Sequence, residues 1–173
     1  MEIPIDITFF FTSVLIAATS YSLIAKWYLW PRMRAMPFKD AVRPLLVLNT
    51  FRYVGFGFLI PGVVVKSLPA GFANPGAYGD IVASVLAFIC LALLNGNESV
   101  VKAVIWIFNI QGTVDILSAM FLGPHFGIDP GDFGSMYFIT TVYVPAVFVS
   151  HLIIYKLLVR KPISGSGWET PRG

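Results

Sequence analysis

Apolar residues along this chain gather into five long stretches separated by short polar or basic segments. A helix needs about 20 apolar residues to cross the hydrocarbon core of a bilayer, and these stretches approach or exceed that length. The first runs from Ile7 to Leu29 and closes on Lys26-Trp27-Tyr28-Leu29-Trp30-Pro31, an aromatic interface followed by a helix stop. Pro44 opens the second, Pro44–Val65, at a first-turn position. Asn74-Pro75 reads as an N-cap with proline behind it, which starts the third at Pro75 and carries it to Leu94, where Asn95-Gly96 ends it. The fourth is Val100–Leu122, stopped by Gly123-Pro124, and the fifth is Met136–Leu158. The expected fold is therefore all-α: a polytopic integral membrane protein, a bundle of five transmembrane helices forming one domain over residues 1–161. Residues 162–173, rich in Ser, Gly and Pro, read as a disordered cytoplasmic tail.

Composition agrees with a lipid-facing surface. Of 173 residues 57% are hydrophobic and 12% charged, about half the charge of an average soluble domain. The amino terminus offers Glu2 and Asp6 before its first apolar run, where a secretory signal would carry positive charge, so the first stretch is expected to be retained. Cys90, alone in an apolar run, cannot form an intrachain disulfide and reads as a small buried hydrophobe.

Charge sets the expected orientation. With five spans, Lys26, Arg32, Arg34, Lys39, Arg43, Lys102, Lys156, Arg160, Lys161 and Arg172 fall on one side, and Lys66 falls on the other. Glu2, Asp6, Asp129 and Asp132 share the side of Lys66. Basic residues mark the cytoplasmic face, so the amino terminus is expected outside and the carboxyl terminus inside a plasma or bacterial inner membrane. The net charge of +3 follows from this topology and implies no nucleic-acid partner. Asn97-Glu98-Ser99 matches a glycosylation sequon but falls on the cytoplasmic side.

Chemistry is carried by polar residues that a membrane segment should exclude. Arg52 lies eight residues into the second span, where a charge costs a few kcal/mol unless paired. Helical spacing puts Asn49, Tyr53 and Phe56 on its face. Asp115 shares a face of the fourth span with Gln111 and Ser118, while Asn109 and Thr113 occupy another. Asp80 lies about five residues into the third span, at a similar depth to Asp115. It reads either as a first-turn carboxylate favoured by the helix dipole or as half of a proton-binding pair with Asp115. In the fifth span Tyr137, Thr140, Thr141, Val144, Phe148, His151 and Tyr155 form a semi-polar stripe crossing the whole membrane, with Pro145 expected to kink it. In the first span Ser13, Ala17 and Ser20 form a small-residue stripe suited to close helix contact.

No cofactor is expected. Bis-histidine haem ligation needs a second imidazole at membrane depth, and His125 is in a loop. A retinal Schiff base needs a mid-membrane lysine, and the lysines lie at span ends or in loops. The loop His125–Asp132 reads as ordinary turns, so no metal site is expected either. The sequence leaves whether the chain is an enzyme open. Its leading expectation is an intramembrane site, Arg52, Asp80, Asn109, Asp115, Thr140 and His151 with Asn49, Tyr53, Gln111, Tyr137 and Tyr155 behind them. That site would bind or transport protons or a small polar or amphipathic ligand. A membrane enzyme acting on a lipid or isoprenoid is a second expectation, weakened because helical depth assigns the carboxylates to the outer half of the membrane and His151 to the cytoplasmic half. A non-catalytic subunit or assembly factor, meeting a copy of itself or a larger membrane complex, is the third.

Overall fold

The computed structural model describes residues 5–65 and 68–160. The tail 162–173 and Lys66 lie outside the described residues. Among the described residues the chain is helical, with no strand beyond one isolated bridge between Pro61 and Val64. Four helices are long and apolar enough to cross a membrane: Asp6–Met33, Ala70–Leu93, Glu98–His125 and Met136–Leu158. In detail these comprise α1 (Ile5–Ile24), a π turn (Ala25–Leu29) and α2 (Trp30–Met33); α4 (Ala70–Leu93); α5 (Glu98–His125); and α6 (Met136–Phe138), a second π turn (Ile139–Tyr143) and α7 (Val144–Leu158).

The stretch expected as a second α-helical span is instead composite. Helix α3 (Phe38–Thr50) begins six residues ahead of Pro44, which sits inside it, and gives way to a 3-10 segment, Phe51–Leu59. Nine residues is long for a 3-10 helix, whose hydrogen bonds are less well aligned. Side chains from other helices support the transition: Tyr143 donates to the Leu48 carbonyl at 2.8 Å and Ser84 to the Thr50 carbonyl at 2.6 Å.

Prolines are handled differently from the sequence reading. Pro31 does not stop the first helix, which continues to Met33, and Pro75 lies inside α4, which begins at Ala70. Likewise Pro124 is inside α5, which continues to His125. The two π turns share one relation to proline: Pro31 and Pro145 each follow the last π residue by two positions. A proline ring clashes with the carbonyl four residues back, here Trp27 or Thr141, the central residue of each π turn. The amides just before the prolines, Trp30 and Val144, reach back five residues to Ala25 and Ile139. Widening the turn by one residue moves the threatened carbonyl aside without ending the helix.

Helices α3, α4, α5 and α7 and the 3-10 segment surround the interior, with α4 between α3 and α5 and α7 against α5 and α3. The first helix is peripheral: it packs on α7 and the second π turn, and none of its most apolar stretch is buried. Two apolar clusters fill the bundle. One, around Leu46, Cys90, Leu94, Phe108 and Ile154, lies toward the end where the first and last long helices finish. The other, around Phe58, Phe72, Phe133 and Met136, lies at the opposite end. There the loop after the 3-10 segment is tied to the 130s loop, Val65 N–H donating to the Asp132 carbonyl and Ser135 N–H to that of Val63. A polar layer separates the clusters.

Candidate functional site

Arg52 is the centre of that layer. Its side chain is 2% exposed, and four N–H groups point at partners on three other helices. Nε donates to Asp80 Oδ1 at 2.7 Å, and Nη2 to Asp115 Oδ2 in a very short contact. Nη1 donates to the Gly112 carbonyl at 3.3 Å and faces His151 Nε2 at 3.4 Å. A guanidinium only donates, so Nε2 is the acceptor and the imidazole carries its proton on Nδ1. That Nδ1–H then donates to Asn109 Oδ1 at 2.6 Å, while Asn109 Nδ2 donates to the His151 carbonyl at 3.2 Å. Tyr155 extends the network, its hydroxyl within 3.3 Å of both the Asn109 carbonyl and Thr113 Oγ1.

Three glycines make this convergence possible. A β-carbon on Gly55 would collide with the Asp80 carboxylate, one on Gly79 with Asp115, and one on Gly112 with the His151 ring and Arg52 Nη1. Each charged or aromatic group thus occupies the space of a missing side chain on a neighbouring helix. The sequence reading did not single these glycines out, because a glycine's packing partner is not legible from its own position. Tyr143 was also missed: it is part of the second π turn and donates to Leu48, one residue before Asn49.

Of the expected site, the structure brings together Arg52, Asp80, Asn109, Asp115 and His151. Asp80 is not a first-turn carboxylate, since α4 begins ten residues before it. The separation expected between the carboxylates and His151 is bridged by Arg52, which touches all three. Thr140 is not part of the layer; its hydroxyl donates to the Met136 and Tyr137 carbonyls of its own helix.

The expected faces fail for two identifiable reasons. Tyr53 and Phe56 are exposed, at 52% and 43%, because the 3-10 segment repeats every three residues: Arg52, Gly55 and Phe58 form a buried row, with Gly57 buried beside it. The stripe of the last span is broken because the π turn inserts one residue, turning the faces on either side by about 100° relative to a regular helix. Tyr137 consequently meets Ser13 of α1, with 3.4 Å between the hydroxyls, whereas His151 and Tyr155 meet α5. The small-residue stripe of the first span is likewise split, Ser13 and Ala17 facing inward and Ser20 outward.

Of the secondary residues, Asn49 and Gln111 support the layer alongside Tyr155, and Tyr53 and Tyr137 do not. Asn49, fully buried, donates to the Leu45 carbonyl and to Ser150 Oγ, beside His151. Gln111 donates to the Gly79 carbonyl, beside Asp80. Among the described residues no cluster of three or more His, Cys, Asp or Glu is arranged to hold a metal ion.

No curated protein and no solved structure matches the chain. A family match covers residues 9–159, a span containing the whole polar layer, and the chain belongs to that family, DUF8737, a domain of unknown function.

Proposed function

We propose that this chain is a five-span membrane protein, amino terminus outside, that binds and conducts protons through the Asp80–Arg52–Asp115–His151 layer. The fifth crossing is the composite of α3 and the 3-10 segment. At 1.5 and 2.0 Å per residue it is about 37 Å long, more than the roughly 30 Å of a hydrocarbon core. Five crossings keep the basic loops on one side, as the positive-inside rule requires.

One observation carries the proton reading: two carboxylates share one guanidinium in a layer packed against glycines too closely to admit a side-chain methyl. A proton is a ligand that needs no cavity. With both carboxylates ionised the triad bears a net charge of −1, and one proton on either oxygen brings it to zero. Arg52 can hold whichever carboxylate remains charged, so the proton can pass between Asp80 and Asp115 without leaving an unpaired anion. His151 Nε2 becomes the next acceptor when Arg52 Nη1 moves off its lone pair, and chains of acidic residues and histidine serve as relays in membrane proteins generally. Apolar clusters lie on both sides of the layer, while Asp80 and Asp115 keep 19% and 16% of their side-chain surface exposed, an edge at which a proton can enter.

The experiment is proton flux into liposomes containing the purified chain, driven by a potassium diffusion potential and read with an entrapped pH dye. Wild type should exceed protein-free vesicles, and Asp115→Asn and Asp80→Asn should return to that background. A wild-type rate equal to empty liposomes sinks the proposal. The paired state of Arg52 favours a second reading, an internal lock in a subunit of a larger membrane complex. Co-purification with such a complex and full function of Asp115→Asn would select it. Complete burial of His151 gives the lipid-enzyme reading no face at which a substrate meets the imidazole.

A further inference from the structure

A second feature stands apart from the polar layer, at the corner where the first long helix ends, α3 begins and α7 ends. Residues 26–43 and 156–160 carry seven Lys and Arg and one acid, Asp40, a net charge of +6. The fold compresses these cations. Arg160 Nη1 and Nη2 donate to the Met33 and Met36 carbonyls at 2.9 and 3.0 Å, pinning the end of the last helix to the turn after the first. Lys156 Nζ lies 5.6 Å from the Trp30 ring centre, and Arg32 donates to the Tyr28 carbonyl at 2.9 Å. Asp40 is engaged with Arg43 at 3.5 Å. Nearby, Lys102 sits over the Phe38 ring and is neutralised by Glu98.

Lys26 and Arg34 remain exposed on this corner, next to Trp27 and Tyr28, which are themselves 59% and 57% exposed. Exposed Trp and Tyr at a helix end settle at the headgroup level of a bilayer. Excess positive charge held at one corner raises the energy of the folded chain unless a counter-anion resides there. We propose that this corner binds the phosphate of an anionic phospholipid, with Lys26, Arg34 and Lys156 as its cationic contacts and Trp27 beside the upper acyl chain. A lipid is the occupant that meets both the charge and the aromatic rings, since it presents its phosphate at the depth where those rings settle. A juxtamembrane cation contributes about 1 kcal/mol toward an anionic bilayer, roughly fivefold in affinity. The proposal is independent of proton binding and of which leaflet the corner faces.

The test uses the full chain in phosphatidylcholine nanodiscs containing either brominated phosphatidylglycerol or brominated phosphatidylcholine at equal fraction, with quenching of tryptophan fluorescence as readout. Wild type should be quenched preferentially by the anionic lipid, and that preference should fall in Trp27→Phe to the part carried by Trp30. Arg34→Gln should lower relative affinity roughly fivefold and Lys26→Gln/Arg34→Gln roughly 25-fold. Both positions are exposed, and retention of the wild-type circular dichroism spectrum shows that the fold persists. Equal quenching by the two lipids, or an unchanged preference in the double variant, overturns the proposal. Loss of the preference on adding millimolar inorganic phosphate assigns the corner to free phosphate and overturns the lipid.

Discussion

Arg52 reaches from the 3-10 segment to Asp80 on α4 with Nε and Oδ1 2.7 Å apart, and the same guanidinium holds Asp115 on α5. One cation thereby joins three segments of chain in an interior where an isolated charge is costly. Removing either side of such a pairing leaves an uncompensated charge, which costs more than the pairing contributes.

Arg52→Met should therefore destabilise the protein by about 3–5 kcal/mol, measured by reversible unfolding in mixed micelles. The triple variant Arg52→Met/Asp80→Asn/Asp115→Asn should recover most of that loss, because no charge is left unpaired. A single variant as stable as wild type would show that the triad is not the buried network described. Loss of activity in an Arg52 variant must accordingly be read together with its stability.

Glycine substitutions should separate by site. Gly112→Ala drives a methyl into the His151 ring and Arg52, for a loss of about 1–3 kcal/mol. Gly76→Ala on α4 places its methyl at ordinary contact distance from Phe58 and should gain about 0.5–1 kcal/mol from helix propensity. Thermal unfolding of the two variants reads out opposite signs; equal effects would contradict the close approach at Gly112.

The π turn before Pro145 supplies a third expectation. Deleting Val142, an exposed residue within it, restores a regular α-turn but sets a carbonyl against the proline ring, costing about 3 kcal/mol. Combining the deletion with Pro145→Ala should recover stability, since the flanking faces keep their orientation. Unfolding midpoints of the two variants test this. If the double variant is no better than the deletion alone, proline is not the cause of the π turn.

Much of the architecture was legible because it rests on local quantities. Stretches of apolar residues at Ile7, Val100 and Met136 announce helices long enough to cross a bilayer, since each residue's transfer cost depends on its own side chain. The expense of burying Arg52, Asp80, Asp115 and His151 is likewise a property of those residues alone, which is why they stood out before any neighbour was known. Element ends were less legible. Pro31, Pro44, Pro75 and Pro124 read as starts or stops, yet all four lie inside helices, because packing against neighbouring helices can offset a missing amide hydrogen bond.

Tertiary structure decided which of the costly residues meet. Assigning faces by a 3.6-residue period put Tyr53 beside Arg52 and Thr140 beside His151. A 3-10 segment of period three and a one-residue π insertion moved both elsewhere. The 3-10 segment is stabilised by contacts from other helices, Ser84 and Tyr143 on the carbonyls of Thr50 and Leu48, and so is invisible to any local rule, whereas the π insertion answers Pro145. The glycine cradles at Gly55, Gly79 and Gly112 belong to the same category: an empty Cα position acquires meaning only from what another helix places there. By itself the sequence determined that this chain is helical, apolar enough for a membrane, and burdened with ionisable groups at depth. The fold decided that the burden is shared around one guanidinium, because only the close approach of four helical segments offsets the cost of burying it.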